Sequence, residues 1–285
     1  VFLLLIVSFV WAFSFGLIKG RLAGVDPTAV ATLRLALALL VFLPWLRLRG
    51  VSTAMRFRLA AIGAIQFGVM YVLYLRAFAH LQAYEVALFT ITTPFFVTLL
   101  DGAIRRQFVG RHAAAALLSV AGAGVIVWQG LALSSTVVGV LLVQASNLCF
   151  AAGQLGWRHA RAQLGSGVSD ASVFALLYAG AFAASLAWSF TTTDWLALRL
   201  TWSQGATLAY LGVLASGVCF FWWNIGATRV NAGTLAAFNN AKIPLAVACS
   251  LVFFGESANV PRLLLGGALM AGGVWLAESR PSARR

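Results

Sequence analysis

Acids are nearly missing from this chain. Asp and Glu together number 7 in 285 residues, and charged residues of both signs make up only 9%. A soluble globular chain carries about a quarter. Hydrophobic residues make up 61% and mean hydropathy is +0.92. No soluble fold hides that much apolar surface, so the solvent must be largely lipid. Cysteine is scarce as well. Cys149, Cys219 and Cys249 lie inside apolar runs, odd in number and without metal-ligand spacing, and read as small buried hydrophobes. No G-x-x-x-x-G-K-[ST] loop is present, which argues against ATP drive. No H-E-x-x-H occurs, and His80, His112 and His159 are scattered near segment ends. An integral-membrane enzyme acting on lipid or prenyl groups, the alternative from another class, therefore lacks a catalytic set. A channel lacks a filter-like segment or a charged ring. No metal site and no cofactor are expected.

Apolar runs are abundant. Ten are long enough, or nearly so, to cross a bilayer as helices, at about 1–20, 27–46, 58–79, 84–104, 112–129, 135–157, 171–190, 204–227, 234–254 and 262–278. The breaks carry turn chemistry, such as Asp26-Pro27 and Gly255–Pro261. The reading is an all-α integral membrane protein with no soluble domain. The first run lacks a following cleavage site and is not a secretory signal. The chain opens on Val1 rather than Met, which suggests a native start further upstream.

The net charge of +13 would suit a nucleic-acid partner, but the cations are punctuation between apolar runs, not a stripe. Their distribution reports orientation instead. Even-numbered loops and the C-terminal tail hold 13 Lys or Arg, against 5 at the odd loops and their helix ends. Both termini are expected on the cytoplasmic side of the inner membrane, with lipid as the surrounding partner. Small-x-x-x-small pairs at Ser119–Ala123, Gly212–Ser216 and Gly267–Ala271 allow close helix packing. The expected assembly is a monomer or weak homodimer.

An internal echo runs at an offset of 149 residues. Gly68-Val-Met-Tyr matches Gly217-Val-Cys-Phe, Phe89 matches Phe238, Gly124-Val125 matches Gly273-Val274, and Pro94 meets Pro244 within one residue. The halves, 1–130 and 131–285, would each hold five crossings. An odd number forces the second copy upside down, the inverted repeat of secondary transporters with a site near the midplane. The fold class expected is ten transmembrane helices as two inverted five-helix repeats, working by alternating access around a central cavity.

The chain resembles the drug/metabolite transporter superfamily, in its EamA-type carriers of ten helices in two repeats. The features that carry this are Trp11-Ala-Phe-Ser-Phe-Gly, Pro27 with Thr32-Leu-Arg34, Pro94 in a polar-spotted fourth segment, and Phe254-Gly-Glu256 followed by Gly266–Val274. One departure is Asp101-Gly102 with Arg105-Arg106 beyond it, where the usual acid is displaced. The pattern looks most like amino-acid and metabolite exporters of the YddG type. The resemblance implies export of amino acids, aromatic and apolar ones included. Sugar-phosphate, nucleotide-sugar or organic-cation carriage in the same superfamily is the rival.

One residue sharpens the reading. Lys242, in Phe-Asn-Asn-Ala-Lys-Ile-Pro-Leu, lies eight residues after Thr234 and twelve before Phe254. That is ~12 and ~18 Å from the segment ends, too deep for snorkelling. A mid-bilayer charge costs about 2.5–3.5 kcal/mol or more. All seven acids fall at segment ends or in loops, so the lysine either is neutral or awaits an anion such as a substrate carboxylate. The bland alternative is hydrogen bonding to carbonyls freed by Pro244. Its repeat mate is Thr93, so it breaks the pseudo-symmetry. Asn239 and Phe238 share its face. On the sixth segment Gln144, Asn147, Gln154 and Arg158 form a polar stripe that lines a passage or glues helices. Thr90 and Thr93 form a smaller patch. Tyr71, Tyr74 and Phe78 on the third segment, Trp223 and Phe220 on the eighth and Trp11 on the first would suit an aromatic pocket, or simply pack. Pro94 and Pro244 are candidate hinges. Arg34, shallower, is expected to tie the second segment to its neighbours.

Overall fold

A computed structural model describes residues 1–22, 24–77, 79–81, 86, 89–127, 137–253 and 260–279, with only the backbone at 13, 15–16, 18–20, 126–127 and 246–253. Among these residues there is no strand, and ten longer helices follow one another, with a short helical piece at 86 and 89–90 ahead of the fourth. We number them α1 (Phe2–Arg21), α2 (Pro27–Phe42), α3 (Thr53–Ala77), α4 (Thr93–Arg105) and α5 (Gly110–Val127). In the second half come α6 (Val137–Gln163), α7 (Asp170–Thr192), α8 (Trp202–Thr228), α9 (Ala232–Phe253) and α10 (Val260–Glu278). Six are long and apolar enough to cross a membrane: α2 with its 3₁₀ extension to Trp45, α3, α6, α7, α8 and α10.

Local chemistry sets the boundaries. Asp26 caps α2 by accepting from Ala29 N at 2.7 Å, with Pro27 at the first helical position, where no N–H is missed. Ser52 caps α3, which starts at Thr53, five residues ahead of the expected start, because the cap fixes the boundary and Arg56 does not interrupt the helix. Ser169 caps α7, and Thr201 with Gln204 makes a capping box on α8. The fourth segment departs most from expectation. Residues 86, 89 and 90 are helical, Ile91–Thr92 form a turn, and the helix resumes at Thr93, so the expected segment is broken in two and Pro94 sits in a first turn. Pro244 lies inside α9, which runs on to Phe253. The Phe254-Gly-Glu256 motif and Phe78 fall outside the described residues.

Loops of like parity meet. Arg47 N donates to Ser172 O, Arg58 to Gln163, and Arg161 pairs with Asp170, so the connections after α2 and α6 share one end. Asp26 with Thr193 and Arg21 with Ser203 join the connections after α1 and α7 at the other.

Backbone contact holds the helices. A Cβ added to Gly63 would stand 1.9 Å from Leu177 O, and one added to Gly180 would stand 1.9 Å from Ala60 O. α3 and α7 therefore touch main chain to main chain, reciprocally. α5 and α10 meet through Gly122, Gly266 and Gly273, while Gly267 faces open space. Gln66 and Asn224, both fully buried, exchange amide bonds of 2.8 and 3.2 Å between α3 and α8. Trp202 and Leu196 stand out fully, 91% and 88% exposed, as lipid-facing residues do.

Two helices carry a wide turn. Residues Ala64–Val69 of α3 and Leu211–Val218 of α8 are π-helical, with Met70 N–H reaching Ile65 O and Cys219 N–H reaching Leu214 O. Shifting the first by 149 residues lands on 213–218, inside the second. Such turns leave carbonyls for other donors and recur at functional sites.

Candidate functional site

Where α1, α2, α3, α4, α6, α8 and α9 converge lies a cavity whose free space, mouth included, is about 760 Å³. Its aromatic wall is Trp11, Phe150 and Phe220, with Trp11 edge-on to the other two at 6.2 and 5.2 Å between centroids. Tyr71, Tyr74 and Met70 come from α3. A polar strip is formed by Ser14, Thr90, Thr93, Ser146 and Asn147.

The cavity carries two cations. Lys242 enters from α9 and Arg34 from α2. The ion pairs among the described residues, Arg105–Asp101 and Arg161–Asp170, lie at helix ends and touch neither. No hydrogen bond from a described residue engages the Lys242 ammonium. Arg34 is 3% exposed and half-satisfied. Its Nε donates to Ser216 Oγ at 3.1 Å and its Nη2 to Tyr71 OH at 2.7 Å, and the guanidinium stacks over the Tyr71 ring at 4.7 Å. A buried cation without a counter-ion is costly, which gives an anion a reason to enter.

The turn before α4 shapes the polar strip. Phe89 O accepts from Asn147 Nδ2 at 2.9 Å, Gln144 Nε2 at 3.2 Å and Thr92 Oγ1 at 2.9 Å. Thr90 O accepts from Thr93, and Ile91 O from Asn240 Nδ2 at 2.9 Å. Carbonyls freed by the broken helix are thus met by side chains, as interrupted helices in membranes require.

Of the residues singled out in the sequence, Lys242, Thr90, Thr93, Tyr71, Tyr74, Trp11 and Asn147 come together at this cavity. Four others stand apart from its lining. Asn239 and Gln154 exchange amide bonds of 3.3 Å, Trp223 donates to Gln154 at 3.1 Å, and Phe238 packs in the core beside them. This knot ties α6, α8 and α9. The polar stripe of α6 therefore divides by depth: Asn147 lines the space, Gln154 glues helices, and Arg158 holds Val230 O near the helix end. Residues the sequence reading left out of the site are Ser14, Arg34, Met70, Ser146 and Phe150. Helical spacing points to Phe150 at i+3 from Asn147, and to Met70 at i−4 from Tyr74.

A family model described as the EamA-like transporter family matches residues 1–128 and 137–278. Biotin transporters of Salmonella typhimurium and Escherichia coli K12 are each 38% identical over 277 residues, 96% of this chain and 91% of theirs. A probable biotin transporter of Pseudomonas aeruginosa is 38% identical over 274 residues, 96% of either chain. A solved crystal structure shares the fold, with a TM-score of 0.78 at 19% identity over 97% of this chain and 96% of its own. These relatives overturn the expectation of amino-acid export with amino acids as cargo. Three proteins similar over nearly the whole chain are named for biotin.

Proposed function

Since the chain belongs to the EamA-like transporter family, and is thereby a multi-pass membrane transporter and not an enzyme, we propose that its cargo is biotin. The observation that carries this reading is the pair of cavity cations, Arg34 and Lys242, without a counter-carboxylate among the described residues. Biotin brings one carboxylate, ionised at neutral pH. Its thioether ring and acyl chain are apolar and suit Trp11, Phe150 and Phe220. Its urea head donates and accepts, as Ser146, Asn147, Thr90 and Thr93 require. The names of relatives 38% identical point the same way.

The cavity would open to each side in turn, with the two halves, 1–130 and 131–285, as inverted repeats. Two observations support the repeat. The π-turns recur at its offset. Asn240 bonds the carbonyl of Ile91, its mate 149 residues earlier, and equivalent residues that touch must lie near a two-fold axis. The end bearing Arg47, Arg58 and Arg161 would face the cytoplasm, following the positive-inside rule. A cysteine replacing Arg49 should then react with an impermeant maleimide in inside-out vesicles and resist it in intact spheroplasts. The reverse pattern inverts the assignment.

Purified protein in liposomes should take up labelled biotin in a saturable way, and unlabelled biotin should compete. Vesicles that take up no more biotin than empty ones would remove this reading.

A further inference from the structure

Tyr178 lies outside the cavity lining, fully buried on α7. Its hydroxyl donates towards two carbonyls of the π-turn in α8, Ser216 O at 2.8 Å and Gly217 O at 2.6 Å. Trp11 Nε1 donates to the carbonyl just before them, Ala215 O, at 2.8 Å. Three successive carbonyls of one wide turn are thus held by side chains from α7 and α1. The turn is also pressed against α2, where a Cβ on Gly212 would meet Leu37 Cβ at 2.7 Å and Arg34 O at 3.3 Å.

From this turn the Ser216 hydroxyl faces Arg34. Ser216 Oγ takes Nε–H and Tyr71 OH takes Nη2–H, and the two oxygens lie 3.4 Å apart. Those two nitrogens form one fork of the planar guanidinium, so that fork is filled. The second fork, Nη1 with the remaining Nη2 proton, meets no described residue, and the side chain borders the cavity. A guanidinium gripped along one edge presents the other at a set angle, the geometry that binds a carboxylate through two parallel bonds.

We infer that Tyr178 is a positioning residue. By pinning the π-turn that carries Ser216, it aims the free edge of Arg34 at the cargo's carboxylate, and so makes the carrier select the ionised acid over neutral derivatives. This rests on the biotin reading of the cavity. A hydroxyl that merely stabilised the bundle would affect charged and neutral ligands alike.

The test is the affinity of purified protein in detergent for biotin and for biotin methyl ester, by titration calorimetry. Wild-type protein should prefer the acid. In Tyr178→Phe and in Ser216→Ala the biotin Kd should rise about five- to thirtyfold, the effect of losing or misaligning a charge-assisted hydrogen bond. The ester's Kd should stay within about twofold, which leaves the ratio reduced. Ser216→Ala guards against a folding defect in the tyrosine variant, since it removes one small hydroxyl and leaves the carbonyl clamp. Equal weakening of both ligands, or no change in either, overturns the positioning role while wild-type biotin binding keeps the cargo reading. Wild-type protein that binds neither ligand overturns both.

Discussion

Replacing Lys242 by alanine should cut biotin transport by roughly 30-fold or more without lowering the melting temperature of the purified protein. The two effects have different origins. On the proposed reading the ammonium would meet the cargo's carboxylate in low dielectric, and truncating one partner of such a pair costs about 2–5 kcal/mol. In the empty protein Lys242 lies deep in α9 with no partner among the described residues. Removing a charge that burial penalises leaves stability unchanged or raises it. Lys242→Arg keeps the charge but changes its shape and reach, and should restore only part of the rate. Transport at the wild-type rate by a folded Lys242→Ala protein would return the lysine to helix packing.

Gly63→Ala and Gly180→Ala should be the two most destabilising glycine-to-alanine changes among the described residues. Each new carbon would need space 1.9 Å from a carbonyl oxygen of the opposite helix. Backbone on both sides leaves no side chain to swing away, so α3 and α7 must separate. Overpacking of this kind costs about 1–3 kcal/mol and more where main chain must move. Gly267→Ala is the control, since nothing lies within 4 Å of the added carbon, and it should be neutral or slightly stabilising through helix propensity. Thermal unfolding in detergent reads all three. A Gly63→Ala protein that melts with the Gly267→Ala protein would show that the two helices are not locked at this crossing.

The places where the chain turns were legible in the sequence because turn chemistry is local: Asp26-Pro27 and Ser169-Asp170 mark helix starts by themselves. The break in the fourth segment, just before α4, was not. Its approach, Phe89 to Thr92, is as apolar and as threonine-spotted as the helix that follows. What breaks it there is held in place by Gln144, Asn147 and Asn240, from helices far along the chain. The site divided the same way. Lys242 was conspicuous because a lone charge in lipid has few explanations. Arg34 was placed as a tie between helices, and it does bind Ser216 and Tyr71. Its second edge became visible only when the fold placed it beside the cavity. Gln154, Asn239 and Trp223 satisfied one another instead of facing a ligand, an outcome fixed by rotation of three helices that no single-helix periodicity encodes. The cavity's residues point to an acid, and the names of the relatives narrow the proposed cargo to biotin, since a cation in an aromatic pocket suits many acids.

The bond from Asn240 to Ile91 O is made once. In a perfectly two-fold arrangement it would be made twice or not at all, yet residue 91 has no side-chain donor to return it, and Asn240 Oδ1 meets no partner among the described residues. If the halves exchange roles during transport, this contact has no counterpart to exchange with. The two facings of the carrier then differ in energy, and each 1.4 kcal/mol of that difference is a tenfold bias in their populations. Half-saturating biotin concentrations measured from the two sides of an oriented vesicle would differ accordingly, so the membrane would meet a carrier with a preferred resting face before any gradient is applied.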